Sequence, residues 1–423
     1  GSSWMKKDFN KAISTITYNT SDLQGTWQIH EIAVNNPSSS NKYNGWMHGA
    51  VTLNATGSGS ETNIVTKNGS QSDVNGVSLQ ISSLGEITVA SSSDLHGFMN
   101  ADKNTIFMTS TEEHGGGYAF YVLQKDLSEA SYSLSDLQGV WQMHGLSAGN
   151  DTGNHAGWVY ATFTGDDGGN FTGSFTSVGG GGSLNTNISI SSDGFISGMN
   201  SIGSNVHGFM SADKKTFYIT MTGNEASDYN ILIFQKQVTG TTYSLSDLQG
   251  FWQSHSLVSD NPNDIDQWAS WSHSRSIINS KGNVNISNLI VNGESRDDIS
   301  TGMSISSNGI FTFDEVSNSH GFLSADKSLA IMTMPDKGSG GYTLGILQKD
   351  LTVSGDIGLQ TQFVDNNTGW MSDYNPVYEK FMIYKTTDGG VTWNTISNTV
   401  GGIYYFVDTN NGWMIGNSVS ILG

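Results

Sequence analysis

The chain contains no cysteine, which excludes disulfides, thiolate nucleophiles, Cys-ligated zinc and covalently attached c-type haem together. Proline is nearly as scarce, with 4 in 423 residues, and only 13% of residues are charged. Positive charge is the rarer sign: 18 Lys and Arg face 38 Asp and Glu, a formal net charge of -20. Nucleic acid and anionic membranes both need clustered positive charge, so neither is an expected partner. No run of 18 apolar residues reads as a transmembrane helix, and long Ala/Glu/Lys-rich helical stretches are missing too. Nor does a signal peptide open the chain, which starts at Gly1. Two readings of that start stay open: a processed lipoprotein whose lipidated cysteine preceded "GSS", and a remnant of expression.

What the sequence does have is glycine, 52 residues of it, with Ser, Thr and Asn crowding every segment. This is the composition of short strands joined by tight turns. The length suits about three domains, and internal repetition agrees. "SDLQGTWQIH" (21–30) returns as "SDLQGVWQMH" (135–144) and "SDLQGFWQSH" (246–255). "HGFMNADK" (96–103) returns as "HGFMSADK" (207–214) and "HGFLSADK" (320–327). Each unit closes on "VLQKDL" (122–127), "IFQKQV" (233–238) or "ILQKDL" (346–351). The units span 18–128, 129–240 and 241–353, after an N-terminal segment 1–17 and before a tail 354–423.

Within the second unit, polar and apolar residues alternate over "GWVYATFTG", "GNFTGSFTSV", "SLNTNISISS", "GFISGM", "KTFYITMT" and "NILIFQK". Period-two alternation bounded by Gly, Asn and Asp marks half-buried antiparallel strands, about eight per unit. The expected fold is all-β: three tandem antiparallel barrel-like domains, each with its own core, rather than a solenoid. Gly25/Trp27, Gly139/Trp141 and Gly250/Trp252 resemble the Gly-x-Trp opening of lipocalin-like and avidin-like barrels. That resemblance implies a tryptophan plugging one barrel end and a glycine that lets the strand coil.

The tail departs from the repeat. It carries "FVDNNTGWM" (363–371), "KTTDGGVTW" (385–393) and "FVDTNNGWMIG" (406–416). Lys385, Thr387, Asp388, Gly390, Thr392 and Trp393 resemble the hairpin of Asp-box (BNR) propeller blades, of the YCF48-like photosystem-assembly kind and of sialidases. In that motif the Asp holds its own turn and the Trp packs between strands, a structural task. About 65 residues make one blade and the start of a second, short of the four a propeller needs. The expectation is a piece of a longer protein, or a blade completed by another chain.

Histidine is the richest chemical signal. His30, His144 and His255 follow the first Trp; His48, His155 and His273 lie near a second Trp; His96, His207 and His320 precede Gly-Phe. On a strand, Gln28 and His30 face opposite to Trp27 and Ile29, which places the Trp in the core and the His outside it. One reading gathers these histidines with Trp46, Trp158 or Trp268 into a ligand or metal pocket. The other is a buried or rim histidine holding a loop by one hydrogen bond, copied by duplication. No His-x-His or His-Glu-x-x-His occurs, and no carboxylate pair for glycoside hydrolysis stands out among the loop acids. Asp102-Lys103, Asp213-Lys214 and Asp326-Lys327 sit where hairpin turns belong, the Asp capping and the Lys keeping a strand end soluble. Calcium chemistry is open at the acidic loops 165–170 and 260–266, although neither is an EF-hand. Trp271 and Tyr43 lack counterparts and are the surface candidates for a sugar or protein contact.

No catalytic constellation emerges, and no cofactor is expected beyond calcium or a His-bound transition metal. The primary functional expectation is a non-enzymatic extracellular or outer-surface binding and adhesion protein, its partner a surface glycan or protein. A second is self-assembly as a filament or coat subunit, with "WMKKDFNKAISTI" (4–16) as a donated strand. A third is the non-catalytic part of a propeller hydrolase.

Overall fold

The computed structural model describes residues 16–422, apart from 41, 90–91, 112–115, 128–129, 151–153, 225–226, 262–268, 280, 315, 336–339, 351–359, 366, 376–379, 390–391, 393, 398–401, 407, 410–411 and 417–419. All of the donated-strand segment but Ile16, together with Trp268, Gly390 and Trp393, therefore lies outside the described residues, as does nearly all of loop 260–266.

Each repeat folds as a closed eight-stranded antiparallel barrel. Barrel 2 is the plainest case. Its strands Gly139–Ala148, Ala156–Gly165, Asn170–Ser177, Gly180–Ile190, Phe195–Gly198, Gly203–Met210, Thr216–Gly223 and Tyr229–Gln237 pair in sequence order, and the last returns to the first. Barrel 1 runs from Gly25–Asn35 to Gly117–Lys125, and barrel 3 from Gly250–Ser259 to Tyr342–Lys349. Both close in the same way, with a two-residue strand added at the hairpin after the third strand. The turn entering the third strand needs glycine. Gly57, Gly169 and Gly282 have φ of +77, +80 and +82, and a Cβ there would lie 2.2 Å from a backbone carbonyl oxygen. Only glycine reaches that conformation without strain.

The Gly-x-Trp opening closes one end of each barrel. Trp27, Trp141 and Trp252 are buried, and each Nε1 donates to the carbonyl of Leu23, Leu137 or Leu248 at 2.7–2.8 Å. Those leucines end a short helical turn held by a capping box, Asn19 with Asp22, Ser133 with Asp136 and Ser244 with Asp247. The reciprocal bonds satisfy amides that would otherwise be orphaned. The "ADK" turn locks onto the same plug: Lys103, Lys214 and Lys327 pair with Asp22, Asp136 and Asp247 at 2.7–3.0 Å. These lysines were expected to keep a strand end soluble. They instead cross to the plug, while Asp102, Asp213 and Asp326 cap their turns through Oδ1 as the sequence indicates.

A second core lies between the barrels. Ile32, Trp46, Phe107 and Val122 of barrel 1 join Leu146, Trp158, Tyr218 and Ile233 of barrel 2, and Leu257, Trp271, Ile331 and Ile346 of barrel 3, in one cluster. The first two strands of barrel 1 pack on the last two of barrel 2, those of barrel 2 on barrel 3, and those of barrel 3 back on barrel 1. The first strands of all three meet in the middle. The arrangement is a closed head-to-tail ring with threefold pseudosymmetry in a single chain.

The tail forms a four-stranded antiparallel sheet, Gln360–Phe363, Gly369–Asn375, Lys380–Thr386 and Asn394–Ser397, and a three-stranded one, Gly402–Phe406, Gly412–Gly416 and Ser420–Leu422. Asp388 accepts from Thr386 Oγ1 at 2.7 Å, Thr392 N at 2.9 Å and Thr392 Oγ1 at 2.5 Å. The first hydroxyl of this turn thus belongs to Thr386, and Thr387 is exposed rather than a part of it.

Candidate functional site

Alternation along the first strand turns Trp27, Ile29 and Glu31 into the barrel and Gln28, His30, Ile32 and Val34 outward. The sequence reading that His30 lies outside a core is corrected here. His30 and His144 are 0% exposed and His255 1%, because the outward face is the seam between barrels. The signal was present in "IHEIAV": a strand buried on both faces loses its clean alternation.

Each seam repeats one arrangement. Between barrels 1 and 2, His30 Nε2 lies 3.2 Å from His207 Nδ1. His48, opposite His30 on the second strand, stacks on His207 with ring centroids 3.6 Å apart and planes 3° apart. Trp46 stacks in turn beside His48, and its Nε1 donates to Thr222 Oγ1 at 2.8 Å. Between barrels 3 and 1 the same roles fall to His255 with His96 at 3.1 Å, His273 stacked at 3.7 Å, and Trp271 donating to Thr111 Oγ1 at 2.9 Å. Between barrels 2 and 3, His144 meets His320 at 2.9 Å, but Tyr160 replaces the stacking imidazole, at 3.8 Å. Strand register places Pro335 where the other seams have Thr222 and Thr111.

This geometry corrects two groupings made from spacing. His155 is not the counterpart of His48 and His273. It sits exposed in the turn before its strand, at φ +65, and Tyr160 holds the equivalent seam position. Trp271 does have counterparts: it pairs with Leu257 as Trp46 pairs with Ile32 and Trp158 with Leu146, and it is 1% exposed. It belongs to the ring's core and is not a surface aromatic. Tyr43 is half-buried, with Lys67 Nζ 5.1 Å above its ring.

The seams hold their imidazoles neutral. Burial, with repulsion from neighbouring imidazoles, pushes His30, His144 and His255 well below the ordinary value of 6.5. Burial takes His48 and His96 to about 3 and His207, His273 and His320 to about 4. A neutral ring carries one N–H. The Nδ1 atoms of His30, His144 and His255 are buried without a partner, and an orphaned acceptor costs less than an orphaned donor. That logic assigns their protons to Nε2, donating to Nδ1 of the facing ring. Stacked rings turn faces rather than lone pairs toward each other, and among the described residues no group of three or more His, Asp or Glu is placed to hold a metal ion. At loop 165–170, Asp166 spends its carboxylate on Gly168 N, Asn170 N and Asn170 Nδ2.

No family model and no curated protein sequence matches the chain. Similar solved structures include a protein of unknown function of the DUF3598 family from Nostoc punctiforme. It has 10% identity and a TM-score of 0.18, with 52% of this chain and 99% of that one covered. A mutant of the vaccine antigen transferrin binding protein B from Haemophilus parasuis matches at 10% identity and a TM-score of 0.27, over 77% of this chain and 76% of its own. The transferrin binding protein B of serogroup B Neisseria meningitidis matches at 8% identity and a TM-score of 0.24, over 77% and 76%.

Proposed function

We propose that the chain is a non-enzymatic surface binding protein in which the barrel ring is a rigid hub and the outward hairpins carry recognition. The carrying observation is where large apolar side chains are exposed. Val74, Val178 and Ile299, each 45–48% exposed, all stand in the segment that joins the third and fourth long strands of their barrel or at the start of the fourth. Val74 and Ile299 share one register position, opposite Glu61 and Ile286, and Val178 stands in the turn of the same connection in barrel 2. Exposed apolar residues thus recur in one region of all three copies and favour a contact over scatter. The loops beside them differ, "KNGSQSD", "GGGG" and "NGESRDD", so the copies share a scaffold and vary the contact. Barrel interiors support the reading, since each is filled by its own aromatic and aliphatic cluster. Three sites on one rigid body raise avidity without tighter individual contacts, and the net charge of -20 favours a partner with positive patches.

The partner class is a protein or a glycan at a cell surface, and the location of this chain is the cell exterior. The tail is best accounted for as an Asp-box propeller blade, on the strength of the Asp388 turn and its four-stranded sheet. The test is binding of labelled protein to glycan arrays and to intact cells. Saturable binding is expected, falling by about tenfold or more when Val74, Val178 and Ile299 are changed together to Ser. Turnover of a sugar substrate, or binding unaltered by the triple change, would refute the reading.

A further inference from the structure

The ring brings the three "ADK" turns, 111 and 113 residues apart in sequence, around one cavity of ≈ 50 Å³ on the pseudo-threefold axis. Asp102, Asp213 and Asp326 line it, one from each barrel. Each carboxylate spends Oδ1 on its own turn. Burial, and then the charges of Asp213 and Asp326, raise the Asp102 carboxyl above its ordinary value, so the three groups sense one another. Two lysines line the cavity with them: Lys215, with Nζ 3.8 Å from Asp213 Oδ2, and Lys236, whose Nζ donates to the Asp136 carbonyl at 2.9 Å.

Polar groups without full partners face the same space. Gln235 is 1% exposed and lines the cavity, donating Nε2 to the Leu329 carbonyl at 3.4 Å, while its Oε1 is buried with no partner. The first barrel's copy, Gln124, is satisfied in the amide orientation that donates to the Phe209 carbonyl at 2.8 Å and accepts from Ser211 N at 3.1 Å. Tyr218, 1% exposed, also lines the cavity where the other barrels have Phe107 and Ile331. An unpartnered buried carbonyl oxygen is costly unless something donates to it.

We propose that this axial cavity binds one hydrated divalent cation, of the magnesium or calcium class. Three carboxylates against two lysines leave the mouth negative, and a concave mouth concentrates counter-ions. The carboxylates are not placed to ligate a bare ion together. The ion keeps water, which bridges to the Asp102 and Asp213 carboxylates, with Asp326 Oδ2 already accepting from Ser328 Oγ at 2.6 Å, and donates to Gln235 Oε1, the outer-shell mode that a reluctantly dehydrated cation prefers.

Calorimetric titration of the whole chain with magnesium or calcium chloride, at fixed ionic strength, tests the site. One saturable ion per chain is expected, with a dissociation constant at or below about 1 mM. Asp213→Asn keeps the turn cap on an exposed rim and is expected to weaken binding by about tenfold, a single charge-assisted contact. Gln235→Leu, which cannot accept from the ion's water, is expected to weaken it several-fold, whereas Asp166→Asn on a remote loop leaves it unchanged. No saturable ion, or equal loss with Asp166→Asn and Asp213→Asn, overturns the proposal. Failure here leaves the surface-binding reading intact, because Val74, Val178 and Ile299 are not among the residues that line the cavity.

Discussion

Two of the three seams are built alike and the third is not. The seams that barrel 1 makes with barrels 2 and 3 stack an imidazole, His48 or His273, on the facing histidine and anchor the Trp through a threonine hydroxyl. The seam between barrels 2 and 3 has Tyr160 and Pro335 in those places and keeps the same ring spacing. What the ring requires at this point is a flat, buried surface at van der Waals distance, and a basic nitrogen there is dispensable. The difference lies in chemistry under stress, because two seams stack two titratable rings and the third stacks one, His320 on Tyr160.

The largest effect is expected from removing the shared element. Trp46→Ala deletes a buried indole and is expected to cost about 3–5 kcal/mol in denaturant unfolding. Trp158→Ala is expected to cost somewhat less, since it breaks no threonine bond. His207→Ala comes next: it strands His30 Nε2 in a dry seam, for a loss of about 1–3 kcal/mol. Replacing His30 and His207 together by Leu and Phe is expected to recover most of that loss, because no orphan remains.

Acid sharpens the comparison further. The seam histidines titrate lower folded than the 6.5 of the unfolded chain. The unfolded state therefore binds more protons below 6.5, and stability must fall as pH drops. The loss begins near 6.5 and runs to the folded values of about 4 and about 3, with full stability above 6.5. Melting temperatures between pH 7 and 4 are expected to fall more steeply for Tyr160→His and less steeply for His48→Tyr than for the wild type. A slope indifferent to both changes would place the acid sensitivity elsewhere. The smallest effect is constructive: Pro335→Thr offers Trp158 the missing acceptor and is expected to add about 1 kcal/mol.

The barrels were legible because strand alternation, the Trp plug and the Asp-capped turns are local signals read within ten residues. The ring was not, since nothing local distinguishes an outward residue facing water from one facing a neighbouring barrel. His30 looked like a rim residue for that reason. Residue type misled where register decides: His155 is the histidine near Trp158, yet Tyr160, two residues after that Trp as His48 and His273 are after theirs, lies opposite His144. Trp268 likewise drew the role that pairing with Leu257 gives to Trp271. The axial aspartates were each recognised as turn caps, but their meeting depends on ring closure and leaves no trace in any one repeat.

Every barrel carries both halves of a seam, a donor histidine on its first strand and an acceptor histidine on its sixth long strand. Three separate single-barrel chains would have to find one another, and their assembly would dissolve on dilution. Covalent linkage removes that dependence. The seam between barrels 3 and 1, which no linker spans, then closes by intramolecular search. Mass action no longer governs the ring, and each copy is free to diverge, as Tyr160 and Pro335 have, without poisoning two identical partners.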